Sequence, residues 1–118
     1  TGNPVNTVLI GDKLIEIKPT KLKYQRNRTA ALYKMLDYYS LTDILGFESG
    51  ALGDERDGDM ALMEWLIAAT DDEELIKQNY DEMTTETVEK ILSIFKRVNR
   101  ITEKEEKLKN LTTPGKEV

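Results

Sequence analysis

The chain has 118 residues, 33% of them charged, with a net charge of −5 and neither Cys nor His. That composition excludes a Ser-His-Asp triad, a Cys nucleophile, a disulfide and a His/Cys metal site, leaving carboxylate, Lys or Tyr chemistry, or binding without chemistry. The length suits one domain with a modest core, no apolar run approaches a membrane span, and Thr1-Gly2-Asn3-Pro4 lacks the basic and apolar parts of a signal peptide, so a cytoplasmic protein without a membrane partner is expected.

In chain order, residues 1–6 read as a lead-in. Thr7-Val8-Leu9-Ile10 and Lys13-Leu14-Ile15-Glu16-Ile17 are short β-type runs separated by Gly11-Asp12, the spacing of a tight hairpin, and Pro19 ends the second run. An isolated hairpin is marginal in water, so this one is expected to lie on helices or to lend an edge to another chain. A first helix is expected from Thr20 to Tyr39, with Leu32, Met35, Leu36 and Tyr39 on one face and the polar run Gln25–Arg28 exposed. Ser40 caps a short helical turn through Leu45, with Asp43 favouring its positive end. Residues 48–58, with Gly50, Gly53 and Gly58, are expected to form an irregular loop.

Asp59 is expected to cap the next helix, with Met60, Met63, Leu66 and Ile67 inward and Leu62 and Trp65 beside them. The carboxylates Asp71-Asp72-Glu73-Glu74 suit the N-terminus of another helix, with Leu75, Ile76 and Tyr80 as its apolar edge. The longest helical run is Met83 to Lys109. Thr84 stands as N-cap, Met83 and Val88 have the spacing of a hydrophobic staple, and Val88, Ile91, Leu92, Phe95 and Val98 make one stripe. Beyond Val98 only Ile101 and Leu108 interrupt a charged run. That end is left to project, to fray or to meet another chain. The fold class expected is α+β, mainly α: an N-terminal hairpin followed by a bundle of about four to five helices. It spans residues 1–110 as a single domain, with a disordered tail at 111–118.

The charge is layered. Residues 18–34 carry six basic groups and no acidic one, residues 37–89 carry sixteen acidic groups against Arg56 and Lys77, and residues 90–118 are net basic. Such blocks fit either neutralisation across one folded surface or head-to-tail contact with copies of the same chain. The acidic block argues against nucleic acid as a partner. Lys21, Lys23, Arg26 and Arg28 form a basic patch with one aromatic, Tyr24. It lacks the stacking platform of an RNA site and reads as a solvated face or a protein contact.

No chemical motif is complete in the sequence. Aligning Gly58 with the glycine of a calcium loop places Glu64 at the closing position, but Gly53 then stands where a ligand is required and Arg56 lies inside the cage. No cofactor, metal or catalytic residue is assigned, and the chain is not expected to be an enzyme.

The order of three phrases carries a family resemblance. The hairpin runs into Lys-Pro-Thr-Lys-Leu at 18–22, a helix closes on Ala-Ala-Thr-Asp-Asp-Glu-Glu-Leu at 68–75, and a further helix reads Ile-Leu-Ser-Ile-Phe-Lys-Arg-Val-Asn at 91–99 before a charged end. Over roughly residues 5–110 this resembles the tail assembly chaperones of long-tailed bacteriophages and related prophages. The resemblance implies a binding protein of the host cytoplasm, outside the mature virion, that self-associates as a homo-oligomer. Its client is the tape measure protein, kept soluble until the tail tube forms around it. The tail tube protein would be a further partner through a frameshifted longer form. On this reading Ile94, Ile101 and Leu108 face partners, whereas Leu32, Leu66, Leu92 and Phe95 belong to the core. The alternative is a small acidic regulatory or inhibitory module that acts as a decoy for a basic site.

Overall fold

The computed structural model describes residues 6–26, 29–53 and 55–99. Strands β1 (Thr7–Ile10) and β2 (Lys13–Glu16) form the antiparallel hairpin in the register Val8↔Ile15, Leu9↔Leu14, Ile10↔Lys13. Gly11 opens the turn at φ 61°, the conformation that a type II′ turn asks of its first central residue. It also has no room for a side chain, because a Cβ there would lie 2.5 Å from Asn79 Oδ1. Alternation does the rest: Val8, Ile10, Ile15 and Ile17 are buried, while Leu9 and Leu14 face outward.

The helices are α1 (Leu22–Arg26), α2 (Leu41–Leu45), α3 (Gly58–Thr70), α4 (Glu73–Asn79) and α5 (Thr85–Asn99). Two 3-10 segments lie at Thr29–Asp37 and Tyr80–Glu82. The architecture is thus α+β and mainly α, as its patterning requires. The hairpin rests on the helices through its inner face, with β1 against α5.

The helix expected over Thr20–Tyr39 is corrected to α1 followed by the 3-10 segment. Gln25 and Arg26 offer nothing to bury, so no packing supports a continuous helix there. At three residues per turn, Thr29, Leu32 and Met35 fall in one row and Tyr33 and Leu36 in the next, and both rows reach the core.

Helix α3 begins two residues earlier than a cap at Asp59 would place it. Asp57, not Asp59, is the N-cap: its Oδ1 accepts the Met60 N–H at 2.8 Å. Gly58 belongs to the helix and is buried, not part of the loop. The inward face is also rotated from expectation. Ala61, Leu62, Trp65, Leu66 and Ala69 are buried, whereas Met60 is half exposed. Because α3 is packed by the 3-10 segment, α2, α4 and α5, it needs apolar residues nearly all round, and no single stripe marks its inner side.

The remaining start signals are present. Ser40 and Asp43 make a reciprocal capping box on α2. Asp72 caps α4, accepting the Leu75 N–H at 3.1 Å. Thr84 Oγ1 accepts the Thr87 N–H at 3.2 Å at the head of α5. Along α5 the side chains of Val88, Ile91, Ile94 and Phe95 are buried, with Leu92 and Val98 half-buried. Phe95 meets Trp65 edge-on, centroids 5.4 Å apart, and Tyr33 at 5.9 Å. This aromatic cluster joins α3, α5 and the 3-10 segment. The continuation of α5 to Lys109 and the tail at 111–118 lie outside the described residues.

Candidate functional site

Two surface features follow from this packing. The first is a groove of about 290 Å³ lined by Leu36, Tyr39, Ser40, Leu41, Val88, Glu89 and Leu92. It lies where the 3-10 segment and α2 diverge from α5. Tyr39 is braced edge-on against Phe47, centroids 5.3 Å apart. One helical turn past Leu92, Lys96 pairs with Asp37 and ties α5 to the end of the 3-10 segment. The groove wall is therefore apolar along Leu36, Leu41, Val88 and Leu92, with Glu89 as its charged group. The residue after the 3-10 segment and the last of α2, Tyr38 and Leu45, are 84% and 44% exposed.

The second is a cleft of about 400 Å³ between β2, α1 and the C-terminal end of α3. Its polar wall is built on Asp71, which closes α3 in the left-handed conformation at φ 56°, a position where Asp is tolerated better than most residues. The Asp71 carboxylate accepts from Lys21 at 2.7 Å and from the Tyr24 hydroxyl at 2.8 Å. Those bonds, Lys21 first, hold the Asp71 carboxyl below the usual carboxylate range. Burial, then the bond to Asp71 and the nearby charges of Asp71 and Glu73, pushes the Tyr24 phenol up to about 12. Next to this wall Lys13 pairs with Asp72 at 3.3 Å. Elsewhere, burial and a bond to Asp59 raise the Tyr80 phenol above its ordinary value.

The residues singled out from sequence are distributed unevenly over these features. Lys21 is engaged by Asp71, and Lys23 sits over the Tyr24 ring at 5.0 Å. Arg26 is exposed on α1. Ile94, expected to face a partner, is only 3% exposed and belongs to the core. The correction follows from α5 being packed on two sides, by α3 and by β1, so its buried face is wider than one stripe. Ile101, Leu108 and Arg28 lie outside the described residues. Leu92, assigned to the core, is half-buried and also lines the groove.

Charged residues far apart in sequence meet within the molecule: Lys21 with Asp71, Lys13 with Asp72 and Lys96 with Asp37, while Arg56 and Glu64 pair at 2.9 Å within the acidic block. In the acidic loop region Asp57 is used as a cap, Asp59 accepts from Tyr80 and Glu64 holds Arg56. Among the described residues no three carboxylates stand together in a way that could hold an ion. Asn99 has a role that no local pattern announces. Its Oδ1 accepts the Thr20 N–H at 3.0 Å and its amide donates to Phe95 O at 2.8 Å, fastening the chain that leaves the hairpin to the end of α5. Only its place at the end of a helical pattern could have drawn notice.

Among the described residues no helix is long and apolar enough to cross a membrane. The chain gives no match to protein-family models, to curated proteins or to solved structures.

Proposed function

We propose that this chain is a non-catalytic binding protein, a tail assembly chaperone of long-tailed bacteriophages or prophages. It holds the tape measure protein soluble in the host cytoplasm, associates with copies of itself, and is left out of the mature virion. In a frameshifted longer form it also meets the tail tube protein. The supporting observation is the groove between the 3-10 segment, α2 and α5. It offers Leu36, Leu41, Val88 and Leu92 with Tyr39 beside them, a surface suited to one apolar face of a helix. A long apolar helical client needs many such contacts in a row, which repeated copies along one rod provide. The order of sequence phrases supplies the identity of the client.

The acidic decoy reading draws less support, because Asp37, Glu64, Asp71 and Asp72 are already held by the chain's own Lys and Arg side chains. Co-expression with a candidate tape measure protein tests the proposal. The soluble fraction of that client should rise with the wild-type chain and not with a folded Leu41→Glu/Leu92→Glu variant. A client that stays insoluble with the wild-type chain would overturn it.

A further inference from the structure

Among the described residues no strand pairs with the outer edge of β2. The bond from Ile17 N to Asn6 O, 2.8 Å, sets the ladder so that Val8↔Ile15 and Ile10↔Lys13 are the hydrogen-bonded pairs. The N–H and C=O groups of Leu14 and Glu16 therefore point away from β1, and no described residue bonds them. This edge borders the 400 Å³ cleft, with Leu14 66% exposed beside it. Lys13 shares the inner face with Ile15 and reaches Asp72 just past the end of α3, whereas Leu14 belongs to the opposite, outer face. An edge that no described residue pairs, with one exposed Leu, is a template for another strand.

We infer that this edge pairs antiparallel with β2 of a second copy, giving a four-stranded sheet about a two-fold axis perpendicular to it. The inference deepens the self-association in the proposed function and does not depend on the identity of the client. Charge complementarity selects the occupant and its register. A perpendicular two-fold axis keeps outer face beside outer face, so the outward groups of Leu14 and Glu16 have three ways to meet their copies. Leu14 opposite Leu14 of the second copy sets Asp12 against Glu16, acid on acid. Glu16 opposite Glu16 of the second copy repeats that conflict. Leu14 opposite Glu16 of the second copy removes it. This register sets Asp12 against Lys18 of the second copy, and Lys18 against its Asp12, while Ile15 meets Ile15 on the inner face. Each Leu14–Glu16 pair then exchanges two backbone hydrogen bonds.

Sedimentation of the full chain across a concentration series tests this. The wild type should show a reversible dimer step. Leu14→Pro removes an outward N–H without taking one from the β1–β2 ladder, and should abolish that step while circular dichroism shows an intact fold. Asp12→Lys sets Lys against Lys twice and should weaken the dimer about tenfold, and the Asp12→Lys/Lys18→Asp double variant should restore it. Association that survives in folded Leu14→Pro, or charge variants that do not compensate, would overturn the edge pairing and leave self-association standing. A wild type that stays monomeric would overturn both. Leu14 and Glu16 amides that become protected from exchange only when a client segment is added would assign the edge to a foreign strand and overturn pairing between copies. A dimer that responds as described but holds no client would uphold the edge and remove the chaperone reading alone.

Discussion

Gly58 and Ile44 touch through their backbones: a Cβ on Gly58 would lie 1.5 Å from the Ile44 carbonyl oxygen. The Gly58 N–H bonds the neighbouring Phe47 O at 2.9 Å. The end of α2 and the head of α3 are thus joined through a contact that only glycine allows. Alanine usually stabilises a helix interior relative to glycine by about 1 kcal/mol. Here Gly58→Ala should instead cost about 3 kcal/mol, since no flexible side chain can give way. Gly46, with nothing nearer than 3.5 Å, is the control, and Gly46→Ala should change stability by less than about 0.5 kcal/mol. Urea denaturation of both variants checks the contrast, and equal effects would contradict the close contact.

Phe95→Ala should lower stability by about 3–5 kcal/mol, because the ring is 1% exposed and removing it opens a cavity between Trp65 and Tyr33. The Trp65 fluorescence of the folded variant should report the lost edge-on contact. A thermal melt unchanged from wild type would contradict the placement of α5.

The Asp71 network has opposite signs at the two ends of the pH scale. Tyr24 has a raised pKa in the folded chain, so its contribution is complete below about 10 and is lost as the pH rises through about 12. The Asp71 carboxyl is depressed, so its contribution is present above the unfolded carboxylate range and is lost as the pH falls through its folded value. Tyr24→Phe should cost less than about 1 kcal/mol at neutral pH, as expected for one partly exposed hydrogen bond. It should also flatten the alkaline fall in stability, measured as the urea midpoint against pH. An identical alkaline limb in wild type and variant would contradict the bond to Asp71.

The legibility of the sequence differs from element to element for physical reasons. The hairpin was readable because alternation and a Gly turn act locally, and β1 and β2 adopt the register these imply. Ser40 and Thr84 are readable as caps because each acts within one turn of its own helix, and the run of carboxylates at 71–74 marks a helix start without saying that Asp72 is the cap. The inner face of α3 is not readable, since partners on several sides erase the periodicity that would reveal it. The same effect hides Ile94, which reads as a spare apolar position and is buried in a helix packed by both α3 and β1. In the sequence Asp71 is one carboxylate of a helix-opening run. Its role, receiving Lys21 and Tyr24 from residues fifty and forty-seven positions away, depends on the fold and leaves no local trace. The groove was equally hidden, because it exists only where Leu36, Leu41 and Leu92 come together from three elements.

Site-directed photocrosslinking to the client tests most directly whether the groove does the binding. A photoreactive residue at position 92 should capture a candidate tape measure protein, and the captured segment should be an apolar face of a helical stretch. One at Glu74, exposed on α4, should capture little. Capture at position 74 that equals or exceeds capture at position 92 would contradict the assignment of the groove as the client-binding surface.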